Sequence, residues 1–471
     1  MKKTVILAMF LTVCLTGCAG IKEDTVRTAD TKENVKVEES KEPAEDNTAE
    51  DEATNENTTE AESAVNNGGL YVEYKGVTYY RQYQADSYAE TGLFCSYDPM
   101  PDSMKTMMML EKGKDSAEAK EAFQDAGDGN IYIWNDRMYL QKYTQNGQTV
   151  YSVKLDGSDY KEIGTGRMEG LDEENGILVC TLADENEMYQ LQTYDMKSGT
   201  INNCTLENPC TKVLKVEDGV IYYEGEAEYE KAQAGEVRLC RVNSDGSGEK
   251  LLAVTSGDLY EFPDAPCEIT CFQIAGEQIY FSYGAYGGTG HFYQGGKIAV
   301  VNKDGSGFET LQISPLADGS GDFTTVDENF YVEQGADGPL VRFSQIMEEV
   351  KGYVLNVKTG EVQEAQNIMG PEGEAVEKDG KIILSGNWES GEEELISEIS
   401  YDTLGEKAEA DQYYIQDVQT CGEYVYFRLE RSTYTEEVSI GWRDGYTRAE
   451  TQIMRTLRGG SVKNGELLYA Y

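Results

Sequence analysis

The sequence predicts an all-β fold built from repeated antiparallel sheets. Three observations lead to this prediction: strand-forming residues are frequent, short apolar runs alternate with turns, and glycine is common. The chain has 33 Tyr and 49 Gly against 9 Pro in 471 residues. Tyrosine and β-branched residues favour half-buried strands, and glycine permits the tight turns between them. Within the folded region, only Ser116 to Phe123 is predicted as a helix.

The first twenty residues predict export and lipid attachment. Lys2 and Lys3 precede a short apolar run at residues 5–15, which has the length of a signal peptide and cannot span a bilayer. Residues 15–18, Leu-Thr-Gly-Cys, resemble the lipobox of bacterial lipoproteins. The resemblance implies cleavage before Cys18, acylation of that cysteine and location on the extracellular face of the cell membrane. An ordinary signal peptide with a chance cysteine is the alternative.

The segment after the signal peptide predicts a disordered tether. Residues 21–68 hold fifteen acidic and five basic residues, with scarcely any large apolar side chain. Such a composition buries too little surface to offset its chain entropy, and like charges extend it. The predicted organisation is therefore a signal peptide at 1–17, the lipidated Cys18 with its tether at 18–68, and one folded domain at 69–471.

The negative net charge of the chain excludes some classes of binding partner. The formal net charge is −46, and residues 69–471 alone carry −38. Phosphate binding requires clustered Lys or Arg, so nucleic acid and anionic lipid head groups are poor partners. Cations, basic peptides and neutral glycans remain as candidate binding partners.

A repeat of four strands runs through residues 69–471. Its clearest copy begins at Lys212 and contains Val213–Val216, the turn Glu217–Gly219, Val220–Tyr223, a loop, Val237–Val242, the turn Asn243–Gly248 and Leu251. Four strands joined by hairpin turns form one antiparallel sheet. The first turn recurs before strands at residues 76, 136, 176, 276, 328, 380 and 422. These positions define eight modules, of which the first is the least regular.

The modules predict a β-propeller. A four-stranded sheet cannot bury both faces alone, and a ring of sheets protects the edges better than an open row. Spacings of forty to sixty residues suit propeller blades. Residues 213–252 and 273–311 resemble bacterial repeat proteins with a propeller like that of low-density lipoprotein receptor relatives, which implies an extracellular setting and no particular activity. The sequence favours eight blades, with seven as the alternative.

No residue pattern indicates catalysis or a cofactor. The chain lacks a Gly-x-Ser-x-Gly elbow, and any Ser-His-Asp triad would need His291, the only histidine. Turn chemistry explains the Asp-rich turns better than calcium does, since no stretch has the spacing of a calcium hand. We expect no metal site and no cofactor.

Eight cysteines remain once Cys14 leaves with the signal peptide and Cys18 takes lipid. Outside the cell, an even number permits disulfides. The close pairs Cys204 with Cys210, and Cys267 with Cys271, are the candidates. Buried free thiols are the alternative for the others, which lie in apolar strand contexts.

Loop length and aromatic content predict a binding surface. The connection between the second and third strands is long in modules four (224–236), five (284–296), six (333–352) and eight (430–450). Variable loops on a rigid scaffold commonly carry binding sites. Aromatic residues in such loops offer contact area at low entropy cost. The candidate ligand-binding residues are Tyr286, His291, Phe292, Tyr293, Trp388, Trp442, Arg443 and Tyr446, with Tyr434 beside them.

These observations predict a membrane-anchored binding or scaffold protein that recognises an unknown glycan, peptide or protein partner through propeller loops. The alternatives are an extracellular hydrolase on a propeller scaffold and a component of an envelope sensor. The 86 acidic residues leave a catalytic carboxylate pair open for the hydrolase. The candidate aromatic residues have a structural alternative too, in which they pack the loops against one another.

Overall fold

The structure of the protein is a computed structural model. It describes residues 63–82, 106–111, 119–123, 129–144, 147–184, 186, 188–226, 236–255, 267–287, 292–311, 326–345, 351–365, 374–378, 381–386, 394–400, 411–440, 443–457 and 466–470. The chain divides into two compact units, residues 1–59 and 60–471, and every described residue lies in the second. The described residues include no helix long and apolar enough to cross a membrane. Cys18 and the predicted signal peptide lie outside the described residues.

The regular elements of the described residues are strands in eight successive antiparallel groups. The first three groups comprise β1 (Tyr71–Tyr74), β2 (Val77–Gln82), β3 (Thr106–Glu111), β4 (Ala119–Phe123), β5 (Tyr132–Trp134), β6 (Arg137–Thr144), β7 (Gly147–Lys154), β8 (Lys161–Asp172), β9 (Ile177–Ala183), β10 (Tyr189–Asp195) and β11 (Thr200–Asn203). Strand β8 belongs to two groups, because its first half pairs with β7 and its second half with β9.

The fourth and fifth groups comprise β12 (Cys210–Glu217), β13 (Val220–Gly225), β14 (Arg238–Asn243), β15 (Lys250–Val254), β16 (Cys267–Ala275), β17 (Gln278–Gly287), β18 (Phe292–Asn302) and β19 (Glu309–Thr310). The last three comprise β20 (Val326–Gly335), β21 (Gly338–Gln345), β22 (Lys351–Asn356), β23 (Glu361–Ala365), β24 (Glu374–Lys378), β25 (Lys381–Gly386), β26 (Glu394–Ser400), β27 (Asp411–Cys421), β28 (Tyr424–Ile440), β29 (Arg443–Leu457) and β30 (Glu466–Ala470). Hydrogen bonds join the strands into six sheets, because β8 links the second group to the third and β18 pairs with β20. The number of blades stays a prediction.

Turn chemistry explains how each group folds. In the fourth group, Glu217 pairs with Val220 across a two-residue turn. Asp218 and Gly219 in that turn have φ values of 51° and 72°. Positive φ at both central positions is what a hairpin turn with the twist of the flanking strands requires, and Asp-Gly adopts it at low cost. The predicted Asp-Gly turn therefore joins β12 and β13 in an antiparallel hairpin.

Successive apolar side chains of one strand pack against different neighbouring groups, one against the preceding group and one against the following group. On β13, Tyr222 packs with Ile279 and Phe281 of the fifth group, whereas Tyr223 packs with Val179 of the third. Both tyrosines are buried. Because successive strand residues point to opposite faces, one strand supplies core to both of its neighbours. The core is thus the set of interfaces between consecutive sheets.

The first and last groups contact each other and close the ring. The ring of Tyr71 stacks on that of Tyr426 with centroids 4.9 Å apart. The hydroxyl groups of Thr78 and Tyr426 lie 3.1 Å apart, and the Leu70 N–H donates to Oε1 of Gln419 at 2.8 Å. Within the described residues the two groups share no strand, so closure depends on side chains. The fold is a β-propeller.

Residues 64–69, named here the N-terminal strap, lie across the first three groups. The N–H of Gly68 donates to Ile131 O at 2.8 Å. Asn67 accepts the Ile133 N–H at 2.8 Å and donates to Ile133 O at 2.9 Å. The Ala64 N–H donates to the Glu173 carboxylate, in the turn after β8. Residues 64–68 fell within the tether predicted from sequence, and in the structure they bond to residues of the folded domain.

Two sequence predictions inside the folded domain are wrong. Residues 119–123, predicted as part of a helix, form strand β4, because they pair with β3. In the sixth group, the turn expected at residue 328 makes the apolar run at Phe330 the second strand. In the structure that run belongs to the first strand, β20, and the second strand is β21. The predicted long loop at 333–352 therefore contains strand β21 and the short turn before it, and residues 346–350 lie outside the described residues.

Candidate binding surface

Each group of strands has two ends with different connections. The turns from first to second strand and from third to fourth strand lie at one end, named here the turn end. The connections from second to third strand, and from one group to the next, lie at the other, named the hairpin end. The N-terminal strap runs from one end towards the other: Ala64 donates to Glu173, in a turn at the turn end, whereas Gly68 donates to Ile131, which precedes β5.

The fifth group extends into a hairpin at the hairpin end. Strands β17 and β18 remain paired from Gln278 with Asn302 to Gly287 with Phe292. Tyr286 is the register partner of Tyr293. At the base of this hairpin, Tyr283 is buried and its hydroxyl lies 3.2 Å from Oγ1 of Thr310. The hairpin therefore rises from a fixed base and carries a cross-strand tyrosine pair.

The eighth group extends furthest at the same end. Strands β28 and β29 have 17 and 15 residues, compared with 6 each for β13 and β14. Tyr434 is the register partner of Tyr446, beyond the point where β27 ends its pairing at Asp411 with Thr433. The base of the extension is anchored by the buried Tyr426 and Leu429. Residues 411–416, 428–440 and 443–451 are named here the eighth-group projection.

The structure assigns backbone positions to five of the eight candidate ligand-binding residues. Tyr286, Phe292 and Tyr293 lie on the fifth-group hairpin, and Arg443 and Tyr446 lie on β29. They were predicted in loops, and they lie on strands instead. His291, Trp388 and Trp442 lie outside the described residues. Both described sets are at the hairpin end, but on two separate groups.

The Asp-Gly-Ser turns use their carboxylates internally. Oδ1 of Asp245 accepts the N–H of Ser247 at 2.9 Å and its hydroxyl at 2.6 Å. The same two bonds occur between Asp156 and Ser158 and between Asp304 and Ser306. The Ser247 hydroxyl, and then its N–H, hold the pKa of Asp245 below its usual value. The prediction that these aspartates serve turn geometry is confirmed, and no His, Cys, Asp or Glu cluster of the described residues could hold a metal ion.

The described cysteines are free thiols, including both candidate pairs. Burial raises the pKa of Cys210 to about 12 and that of Cys267 to about 11. A thiol with such a pKa is protonated at neutral pH and is a weak nucleophile. The candidate disulfides between Cys204 and Cys210, and between Cys267 and Cys271, are therefore absent from the structure.

Glu224 is a buried carboxylate near the hairpin end that the sequence did not single out. Its Oε2 accepts the N–H of Ile269, in the next group, at 2.9 Å. Nζ of Lys212 donates to Ile269 O at 3.0 Å. Burial raises the pKa of Glu224 to about 7, against the partial opposition of that backbone hydrogen bond. A lone glutamate among 86 acidic residues gives no sequence signal of this kind.

No protein-family model and no curated protein matches this chain. The chain is similar to the β-propeller domain of the trilobed protease of Pyrococcus furiosus, at 12% identity and a TM-score of 0.37, over 74% of this chain and 96% of that one. It is also similar to a nidogen/laminin complex at 11% identity and a TM-score of 0.28, over 55% of this chain and 88% of that one. It is similar, too, to the acylaminoacyl peptidase of Pyrococcus horikoshii, at 15% identity and a TM-score of 0.36, over 73% of this chain and 52% of that one. Likenesses this weak carry no argument about activity.

Proposed function

We propose that this protein is a lipid-anchored, extracytoplasmic binding or scaffold protein that holds its ligand at the hairpin end. One observation carries the proposal: two extended hairpins at that end each bear a cross-strand tyrosine pair, Tyr286 with Tyr293 and Tyr434 with Tyr446. Register partners in an antiparallel sheet share one face. Two aromatic rings on one face offer a large, rigid contact area for a peptide side chain or a sugar ring.

A test of the binding function replaces Tyr286, Tyr293, Tyr434 and Tyr446 together with Ala. The variant should lose binding to ligands that a glycan and peptide array identifies for the unaltered protein, because the aromatic contact area is removed. Its midpoint of thermal unfolding should change little, since the four residues lie on the extensions of the hairpins, beyond the buried bases at Tyr283 and Leu429. Retained binding by a folded variant would contradict the proposal.

Tyr160→Ala is the matched control for that variant. Tyr160 is 48% exposed and precedes β8 at the turn end, where it packs near Tyr151. It offers an aromatic ring to solvent but lies away from both hairpins. Binding by this control should match that of the unaltered protein.

A separate test addresses the anchor. Cys18→Ala should move the protein from the membrane fraction to the soluble fraction, because acyl chains supply about 0.8 kcal/mol per buried CH₂. The circular dichroism and thermal unfolding of the propeller should stay unchanged, since the tether separates Cys18 from the folded domain. Persistent membrane retention of the variant would contradict lipid anchoring.

A further inference from the structure

The N-terminal strap bonds to both the first and the last group of the ring. Val65 exchanges two backbone hydrogen bonds with Glu73 of β1, donating at 2.8 Å and accepting at 3.1 Å. The carbonyl oxygen of Val65 also accepts the Cys421 thiol of β27 at 3.8 Å, and Nδ2 of Asn66 donates to Oε1 of Gln419 at 3.3 Å. Among the described residues these two groups share no strand, and their junction is named here the seam. The strap therefore bonds to both sides of the seam.

The same strap reaches the second and third groups. Oδ1 of Asn67 accepts the Ile133 N–H and its Nδ2 donates to Ile133 O, so one side chain satisfies both backbone groups that β5 presents there. Nδ2 of Asn67 also donates to the Glu173 carboxylate at 3.3 Å. The amide of Asn67 thus takes the place that a neighbouring strand would occupy.

These contacts show where the first strands of the sheets lie. The strap has six residues, and six residues span at most about 22 Å even when fully extended. Edges of four groups therefore converge on it, as they do around the axis of a propeller. Their contact residues form a site named here the axial groove: Glu73, Ile131, Ile133, Glu173, Gln419 and Cys421.

The shape of the strap matches the groove. Asn66 and Gly68 have φ values of 56° and 88°, and the Gly69 N–H donates to Asn66 O at 2.9 Å, which makes a tight turn. A Cβ on Gly68 would lie 2.6 Å from Cε1 of the buried Tyr132. Glycine is needed at this position both for its positive φ and for its close approach to that ring.

The charge of the chain changes where the strap begins. Residues 21–62 hold fifteen acidic and five basic residues, whereas residues 63–72 hold no charged side chain. Two carboxylates line the groove, those of Glu73 and Glu173. An acidic segment would meet like-charge repulsion there, but the N–H groups of Ala64 and Asn67 donate to Glu173.

We infer that the axial groove is a binding site for an uncharged Asn-Asn-Gly-Gly turn, and that the strap occupies it as an intramolecular ligand that holds the seam closed. This goes beyond the proposed function, which concerns the hairpin end. A segment that binds only the closed ring stabilises that ring by mass action. Release of the strap therefore opens the seam before it affects sheets on the far side of the ring.

The experiment uses the full chain with residues 64–68 replaced by Gly-Ser-Gly-Ser-Gly, named the strap variant. The matched control places the same five residues at 55–59, which lie in the other compact unit. Hydrogen exchange is read by mass spectrometry. In the strap variant the amides of β1 and β27 should exchange at least about tenfold faster, because the bonds across the seam are lost, while β13 and β17 keep their protection. The control should match the unaltered protein throughout.

A peptide supplied in trans tests whether the groove binds the turn. An acetylated and amidated peptide of residues 60–70, at about 1 mM, matches the effective concentration of a tethered segment. It should restore slow exchange to β1 and β27 of the strap variant and leave the unaltered protein unchanged, since its groove is already occupied. The same peptide with Asn67→Ala should need at least about tenfold more for equal protection, because it cannot bond to Ile133.

A single substitution in the full chain keeps the test decisive if the strap variant does not fold. Asn67→Ala removes the bonds to Ile133 and Glu173 but keeps the turn, and it should speed exchange in β1 and β27 more than in β13 and β17. Asn202→Ala is its control, because Asn202 is exposed on β11, and it should leave every strand unchanged.

Three results would overturn the inference. Unchanged exchange in the strap variant would show that the strap closes nothing. Equal acceleration in all strands of the folded Asn67→Ala protein would assign the strap to overall stability instead of the seam. Failure of the peptide to slow exchange in a folded strap variant, or equal protection by the Asn67→Ala peptide, would exclude a binding site for the turn.

Discussion

Buried and half-buried polar side chains in this propeller reach the backbone of the neighbouring sheet. Glu224 accepts the Ile269 N–H of the next group, and Gln141 accepts the Met168 N–H of its own next group at 3.2 Å. The first strand of each sheet is an edge, so its outward N–H and C=O groups need partners. A long polar side chain from the preceding sheet supplies them.

Glu224 makes stability depend on pH. Burial raises its pKa from an ordinary 4.5 to about 7. The folded state therefore holds the proton more tightly than the unfolded state, and stability present below about pH 4.5 is lost as the pH rises through about 7. Glu224→Gln should unfold with a free energy that is higher than that of the unaltered protein at pH 8, by up to about 3 kcal/mol, but similar at pH 4.

Chemical denaturation at the two pH values measures this difference. Glu226→Gln is the control, because Glu226 lies two residues further along the chain and is exposed. That variant should track the unaltered protein at both pH values. A pH-independent offset for Glu224→Gln would show that the carboxyl does not titrate in this range.

Single residues also show what the sequence could predict. The Asp-Gly-Ser turns were predicted from their composition and are confirmed, because the Asp-to-Ser bonds are made within three residues. Glu224 could not be predicted, since its burial depends on the next sheet, whose residue Ile269 lies 45 residues away in the chain. Turn hydrogen bonds between neighbouring residues could thus be predicted from the sequence, whereas burial by a distant part of the chain could not.

At the scale of elements, side-chain amides connect neighbouring sheets at equivalent places. Oε1 of Gln273 accepts the Val332 N–H at 2.8 Å, and its Nε2 donates to Phe330 O at 2.9 Å. Oε1 of Gln419 accepts the Leu70 N–H at 2.8 Å. Both glutamines lie on first strands, β16 and β27, and each reaches the group that follows it around the ring.

Removing either amide should weaken the propeller. Gln419→Ala and Gln273→Ala each leave backbone groups without their partners, at a cost of about 1–3 kcal/mol in the free energy of unfolding. Gln363→Ala on β23 is the control, because that side chain is exposed, and it should change stability by less than about 0.5 kcal/mol. Urea denaturation measures all three, and equal effects would contradict a bridging role for the amides.

The elements that sequence analysis misplaced share a cause. In the sixth group, β20 and β21 are both half-apolar, and the turn between Gly335 and Gly338 lies inside the predicted loop. In the fifth group the glycine-rich stretch around Tyr286 has low strand propensity, so it was predicted as a loop. Pairing with β18 makes it a strand all the same. Pairing across the sheet decided both cases, and the local pattern did not.

At the scale of the whole molecule, closure joins the two ends of the folded chain. Deletion of residues 411–471 removes the last group and uncovers Tyr71, Tyr80, Met108 and Leu110, which pack against it. Uncovering each such side chain costs about 1.5–3 kcal/mol, so the four together approach the net stability of a typical domain, about 5–15 kcal/mol. We therefore expect the deletion product to lose the single cooperative unfolding transition of the intact propeller and to self-associate through its exposed sheet.

Calorimetry and light scattering test this expectation against a matched deletion of residues 19–59, which lie in the other compact unit. The tether deletion should keep one transition at an unchanged temperature, because it removes no residue of the ring. The closing contacts of Tyr426 with Tyr71 and Thr78 should then account for the difference, and Tyr426→Ala in the full chain should reproduce part of it. A monomeric product lacking residues 411–471 that still unfolds in one sharp transition would mean that each sheet is stable without closure.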